Sequence, residues 1–136
     1  MTDKYDKWPL PSSVQTFEQY LLGHSRVAQI DRIQENIYRF SRNGGLESLI
    51  VIHSNIYILG TADVMELNSM VDNLQAIVLA GNWNSYTEDA KAFGKEQGIA
   101  IFRFREFFGA LNYENDEFTN YILPENKKKD KGKETE

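Results

Sequence analysis

Four short apolar runs constrain this chain more than any other feature: Leu49-Ile50-Val51-Ile52, Ile56-Tyr57-Ile58-Leu59, Ala76-Ile77-Val78-Leu79-Ala80 and Ile99-Ala100-Ile101-Phe102. Each has the length of a strand and is rich in β-branched or aromatic residues. Polar and apolar residues hardly alternate within them, which marks strands covered on both faces. Segments long enough for a helix separate the last three runs, and a β-α-β-α-β order of this kind requires parallel strands joined by right-handed crossovers. The first two runs are separated only by His53-Ser54-Asn55 and read as an antiparallel hairpin. The expected fold is therefore α/β, a small mixed four-stranded sheet made of an antiparallel hairpin plus a parallel βαβαβ unit, with helices on both faces.

Local signals place the helices. Ser12 and Gln15 have the spacing of a capping box, Val14, Phe17 and Leu21 continue at helical spacing, and Gly23 suits a helix end. Ser25 is the next cap. Val27, Ile30, Ile33, Ile37 and Phe40 then recur every three or four residues up to Asn43-Gly44-Gly45, which predicts a second, longer helix with Arg32, Glu35, Arg39 and Arg42 on its outer face. These two N-terminal helices are expected to cover one face of the sheet. Further on, Gly60 to Asp63 offers a turn and cap for a helix through Val64 and Leu67 that ends near Asn73. Gly81 to Ser85 reads as a loop, Ser85-Tyr86-Thr87-Glu88 as a second capping box, and Ala90, Phe93 and Gln97 as a helix closed by Gly98. A short helix should follow through Phe107, Phe108 and Leu111. Tyr113 to Leu123 suits either a last helix or a segment that docks on another subunit.

A length of 136 residues fits one domain. Its expected parts are an N-terminal arm at 1–11, a single α/β domain at 12–123, and a Lys-rich tail at 124–136 that lacks the apolar residues needed to offset the entropy of ordering. No cysteine is present, which rules out disulfides, thiolate metal sites and thiol nucleophiles and makes a reducing, cytoplasmic setting the expectation. Met1 to Pro11 has no apolar signal-peptide core, and no run is long enough to span a bilayer, so no membrane partner is expected. The net charge is -5, and because residues 127–136 hold five lysines against three acids, the remainder carries -7. Such a body opposes nucleic-acid binding driven by charge alone.

Leu74 to Leu111 reads LQAIVLAGNWNSYTEDAKAFGKEQGIAIFRFREFFGAL. An apolar strand, a polar loop with Thr87, a helix with Ala90 and Gly94, then Gly98, a strand and a short helix resemble the closing segment of type IV, Mrr-like restriction endonuclease domains. The resemblance covers about a quarter of the chain and implies a restriction-endonuclease-like topology and an association with DNA. Domains of that family use an Asp with a carboxylate-x-lysine set on the central hairpin, where paired acids hold a divalent cation and the lysine stabilises charge at the attacked phosphate. Here the corresponding stretch offers Glu47-Ser48-Leu49 and Asp63, with no lysine between Lys7 and Lys91. The carboxylate and lysine set is not found.

Other candidate groups can be named by chemistry. His24 and His53 are the two imidazoles, too few for a His-based metal site, so neither metal nor other cofactor is expected. His24 suits a cap or surface role. His53, with Glu47, Asp63 and Glu66, is a candidate catalytic or ligating residue only if the fold brings the four together. Ser85 and Thr87 stand where a helix N-terminus at the carboxyl end of a parallel strand can hold an anion, although Glu88 and Asp89 already complement that helix end. Trp83 and Tyr86 in the same loop are candidates for a contact surface or for packing over the sheet edge. Arg26, Arg32, Arg39 and Arg42, with Arg103 and Arg105, are the candidates for phosphate contact, against the more frequent reading as solvated faces.

Three functions remain open on these residues. The first is a non-catalytic interaction or regulatory module with a protein partner or self-association. The second is a DNA-associated protein on a restriction-endonuclease-like fold. The third is a small-molecule sensor that binds a nucleotide or phosphate in the crevice near Gly81 to Thr87.

Overall fold

A computed structural model describes residues 8–81 and 83–124. The tail expected from residue 124 and the first seven residues of the expected arm lie, apart from Pro124, outside the described residues. The elements in chain order are α1 (Pro11–Gly23), β1 (Val27–Gln34), β2 (Ile37–Arg42), β3 (Leu49–Ser54), β4 (Ile58–Leu59), α2 (Thr61–Asn68), β5 (Ala76–Leu79), β6 (Ser85–Tyr86), α3 (Glu88–Glu96), β7 (Ala100–Phe102), α4 (Phe104–Ala110) and α5 (Asn115–Thr119). The main sheet has five strands in the order β1-β2-β3-β5-β7, and β4 and β6 form a second, two-stranded sheet. β1, β2 and β3 run antiparallel, and β3, β5 and β7 run parallel.

The α/β class and the mixed sheet agree with the sequence, but the sheet has five strands instead of four. The extra strands come from Val27 to Arg42, which forms the β1–β2 hairpin and not a long helix. A register irregularity lies between Val27 and Gln29 and another between Arg32 and Gln34. An extra residue in a strand lengthens the local side-chain repeat from two to three, so Val27, Ile30 and Ile33 imitate helical spacing. The reversal at Glu35-Asn36 is made by Asn36, whose φ is 67°.

The expected hairpin between Leu49 and Leu59 does not form. β3 takes β2 as its antiparallel partner, with Phe40 opposite Leu49 and Ile37 opposite Ile52, and its other edge is filled by β5. With both edges occupied, Ile56 to Leu59 leaves the sheet, and Ile58-Leu59 pairs in parallel with Ser85-Tyr86.

Two apolar layers sandwich the main sheet. Tyr38, Phe40, Val51, Val78 and Phe102 face α1, α4 and α5 and pack against Phe17, Leu21, Phe107 and Phe118. Ile37, Ile52, Ile77, Leu79 and Ile101 face the other way and pack against Leu59, Val64, Leu67 and Ala90 of β4, α2 and α3. One N-terminal helix, not two, covers its face, and the C-terminal helices complete that layer. α1 begins at Pro11 with Leu10 as its cap and no side-chain hydrogen bond there, so the box expected at Ser12 and Gln15 is not made. Proline supplies the start instead, since its fixed φ and missing amide suit the first helical position.

The segment 74–111 folds as read: strand, loop, helix capped by Thr87, Gly98 at φ 78°, strand, short helix. Ser85 belongs to β6, and the cap falls two residues later than the expected box, with Thr87 Oγ1 accepting from the Ala90 amide at 3.0 Å. Among the described residues no helix is long and apolar enough to cross a membrane.

Candidate functional site

Parallel strands β3, β5 and β7 end together, and the chain leaving each end builds one rim, the usual location of ligands on open α/β sheets. From β3 come Asn55 to Tyr57, from β5 Ala80, Gly81, Trp83 and Asn84, and from β7 Arg103 and α4.

The rim is pinned from below. Asn84 is buried at 2% exposure and its Nδ2 donates to the carbonyls of Asn55 and Ile56 at 3.2 and 2.9 Å, tying the β5 loop to the segment after β3. The Ser85 amide donates to the Tyr57 carbonyl at 2.8 Å and the Thr87 amide to the Leu59 carbonyl at 3.0 Å. Beneath them, Glu106 is 2% exposed and accepts the Arg103 amide at 2.8 Å, closing the first turn of α4. The Tyr86 hydroxyl donates to the same carboxylate, 3.2 Å from either oxygen. Burial, then the Glu106 charge, pushes the Tyr86 phenol up to about 12. The Arg103 guanidinium stands 5.2 Å over the Tyr86 ring and donates to Ser85 Oγ at 3.1 Å.

Lys91 of α3 completes the cluster. Its ammonium donates to the Ile101 carbonyl on the edge strand at 2.7 Å and lies 4.8 Å from the Tyr86 ring centroid and 5.2 Å from that of Phe102. Burial lowers its pKa to about 8, against the raising influence of Glu106. Lys91 carries no direct signal at the level of sequence, while Glu106 is recognisable as the third helical residue after Arg103, the position that reaches back to cap.

Above this base the rim exposes apolar groups. Trp83 is 75% exposed, Tyr57 64% and Ile58 56%, although the backbone that carries them is held on several sides. Of the residues singled out in that loop, Ser85 and Tyr86 are half-buried in the polar base, Thr87 is spent on capping, and Trp83 faces solvent.

The four acid and imidazole candidates do not converge. Glu47 is exposed before the amino end of β3, about 20 Å along an extended chain from His53. Asp63 caps α2 by accepting the Gly60 amide at 2.8 Å, and Glu66 lies one turn further along that helix. His53 faces the opposite layer, fully buried and stacked on Phe17. Among the described residues no three His, Asp or Glu side chains are grouped to hold a metal ion.

The arginines do not form a stripe. Arg32 pairs with Glu18 on the α1 side, while Arg39 extends to the other side of the hairpin, 4.0 Å from Asp31. Arg42 is 7% exposed and clamps the carbonyls of Glu47, Leu111 and Tyr113 at 2.8, 3.0 and 2.7 Å. Arg26 adjoins the hairpin start, where its carbonyl accepts the Asn43 amide, and Arg105 is exposed on α4. His24 bridges α1 to α4, its Nε2 lying 2.8 Å from the Phe108 carbonyl.

No protein-family model, curated protein or solved structure matches the chain. Fold and site together define a three-layer α/β protein whose polar base, Tyr86, Lys91, Arg103 and Glu106, supports an exposed aromatic rim.

Proposed function

We propose that this chain is a non-catalytic interaction module that holds a protein partner on the rim formed by Tyr57, Ile58 and Trp83. The observation that carries this reading is the pairing of exposure with rigidity. Large aromatic groups on a floppy loop would lose entropy on binding, whereas these sit on backbone already fixed by Asn84 and by the β4–β6 ladder. Tryptophan and tyrosine are the side chains that most often supply binding energy at protein contacts. The charge of -7 outside residues 127–136 favours a protein over a polyanion.

The test compares wild type with the Tyr57→Ala/Trp83→Ala double variant in affinity capture and light scattering, with thermal melting as the control for folding. The double variant should keep its melting temperature within about 2 °C, as expected for exposed positions, and lose the partner or the self-association seen for wild type. Retention of both would overturn the reading.

A second reading, a DNA-associated protein on a restriction-endonuclease-like scaffold, rests on residues 74–111. Their strand, Thr87-capped helix, Gly98, strand and short helix follow the order that the family resemblance implies. Binding to duplex and single-stranded DNA at low and moderate salt separates the two, because a DNA-associated protein shows affinity that falls steeply with salt. Absence of any salt-sensitive affinity removes this second reading.

A further inference from the structure

At the end of α4 remote from the rim, a groove of about 430 Å³ is lined by Tyr113, Asp116, Glu117, Asn120 and Tyr121. Its aromatic wall is held from both sides of α5. The Tyr113 carbonyl accepts from the Arg42 guanidinium at 2.7 Å. The Tyr121 hydroxyl lies over Gly109, where any Cβ would collide with it, so a glycine is what admits this ring against α4. The two rings are stacked, with centroids 5.7 Å apart and planes 27° from parallel, and Tyr113 remains 40% exposed.

The polar wall of the groove is acidic. Asp116 and Glu117 are exposed, and among the described residues neither carboxylate has an ion-pair partner. Two such acids beside a tyrosine face favour a cation, through Coulomb attraction and through the negative face of the ring. An exposed ion pair by itself contributes at most about 1 kcal/mol, so a free lysine would hardly stay. A tethered lysine is a different case. The described residues end at Pro124, three residues after Tyr121, and Lys127-Lys128-Lys129 follows. The six residues from Tyr121 to Lys127 span at most about 20 Å. That is enough to turn back onto the groove, and a linker this short gives an effective concentration on the order of millimolar.

We propose that this groove is the docking site of the chain's own Lys127-Lys128-Lys129 segment. One ammonium lies against the Tyr113 ring, and Asp116 and Glu117 are its counter-ions. Neighbouring lysines can exchange into the same position, which keeps the groove occupied although each single contact is weak. A lysine-rich segment of another protein has to displace this tethered occupant before it can use the groove.

Carbodiimide coupling on the full chain at low salt tests the contact, since it joins a carboxylate to an amine where the two meet. Peptide mapping of the monomer should find Lys127, Lys128 or Lys129 joined to Asp116 or Glu117. The yield should be at least threefold lower in about 0.5 M NaCl and at least twofold lower in Tyr113→Ala. No coupling at either acid overturns the proposal, as does equal coupling to the exposed Glu88 and Asp89 at the start of α3. Coupling confined to covalent dimers overturns it by making a second copy the occupant. A yield indifferent to both salt and Tyr113→Ala overturns it by leaving tether length as the only cause. A second measurement does not depend on coupling chemistry. The ring-proton NMR signals of Tyr113 and Tyr121 should shift when Lys127→Gln, Lys128→Gln and Lys129→Gln are combined, and the same three changes should shift nothing in an Asp116→Asn/Glu117→Gln background. Equal shifts in both backgrounds count against the groove as the docking site.

Discussion

His53 lies flat against Phe17, with ring centroids 4.1 Å apart and planes 16° from parallel, and neither imidazole nitrogen has a hydrogen-bond partner. Full burial lowers its pKa from 6.5 to about 3. The unfolded chain therefore takes up a proton near pH 6.5 that the folded chain refuses until about pH 3. Within that window the unfolded state binds more protons, so stability falls as the pH drops, with a limiting slope of about 1.4 kcal/mol per pH unit from this one group. Urea unfolding followed from pH 8 to 4 should show a midpoint that is level above about pH 7 and declines below about 6.5. A His53→Phe variant preserves the stack, and the part of the decline above pH 5, where few carboxylates titrate, should flatten. An equally steep decline in that variant would assign the acid sensitivity to other groups.

Glu106 serves two donors at once, the Arg103 amide and the Tyr86 hydroxyl, from a position with 2% exposure. Glu106→Ala leaves both part-buried donors without their acceptor and should cost about 1–3 kcal/mol in chemical denaturation. Glu106→Gln keeps one acceptor oxygen and should cost less than half as much. In both variants the Tyr86 phenol loses the neighbouring carboxylate charge, so its titration, followed by tyrosinate absorbance, should move down from about 12. Burial remains, so it should not return fully to 10. An unmoved titration in a folded Glu106→Gln would show that burial alone sets it.

The stretch from Ala76 to Ala110 was legible in the sequence because each boundary carried its own local chemistry: Thr87 before the helix, Gly98 after it, and apolar runs on either side. Val27 to Phe40 was not, because the bulges in β1 break the alternation that would have announced a strand, although five β-branched or aromatic residues at the repeating positions were a signal against a helix. Ile56 to Leu59 reads as a strand, but its partner is not legible locally, since pairing depends on which edges of β3 other segments have already filled. The site divides in the same way. Trp83 could be named from its loop, whereas Lys91 and Glu106 meet Tyr86 only after two parallel crossovers bring α3 and α4 to one edge.

Asn36 carries the β1–β2 reversal at φ 67°, a conformation that costs an ordinary L-residue about 1–2 kcal/mol. Asn36→Ala should lower stability by about that amount. Asn36→Gly should fall within about 0.5 kcal/mol of wild type, because glycine adopts positive φ freely and the change also removes a buried oxygen without a partner. Denaturant midpoints of the two variants decide the matter, and a glycine variant no better than the alanine one would show that the side chain, not the backbone, matters at this turn.

Gly94 sits mid-helix, where alanine is normally better by about 1 kcal/mol. Packing reverses that preference here. A Cβ on Gly94 would stand 2.7 Å from the Ile99 carbonyl oxygen and 2.9 Å from Ile101 Cδ1. The Ile101 methyl can rotate, but the Ile99 backbone cannot retreat, because its own amide donates to the Gly94 carbonyl at 2.7 Å and fixes the turn that leads from α3 into β7. Gly94→Ala should therefore destabilise by about 1–3 kcal/mol despite its helix propensity, the range for an overpacked core site. The reference is Ala92→Gly on the exposed face of the same helix, which should lose only the propensity difference of about 1 kcal/mol. A Gly94→Ala variant as stable as wild type would mean that α3 and β7 can separate by several tenths of an ångström, and with them Lys91 from the Ile101 carbonyl.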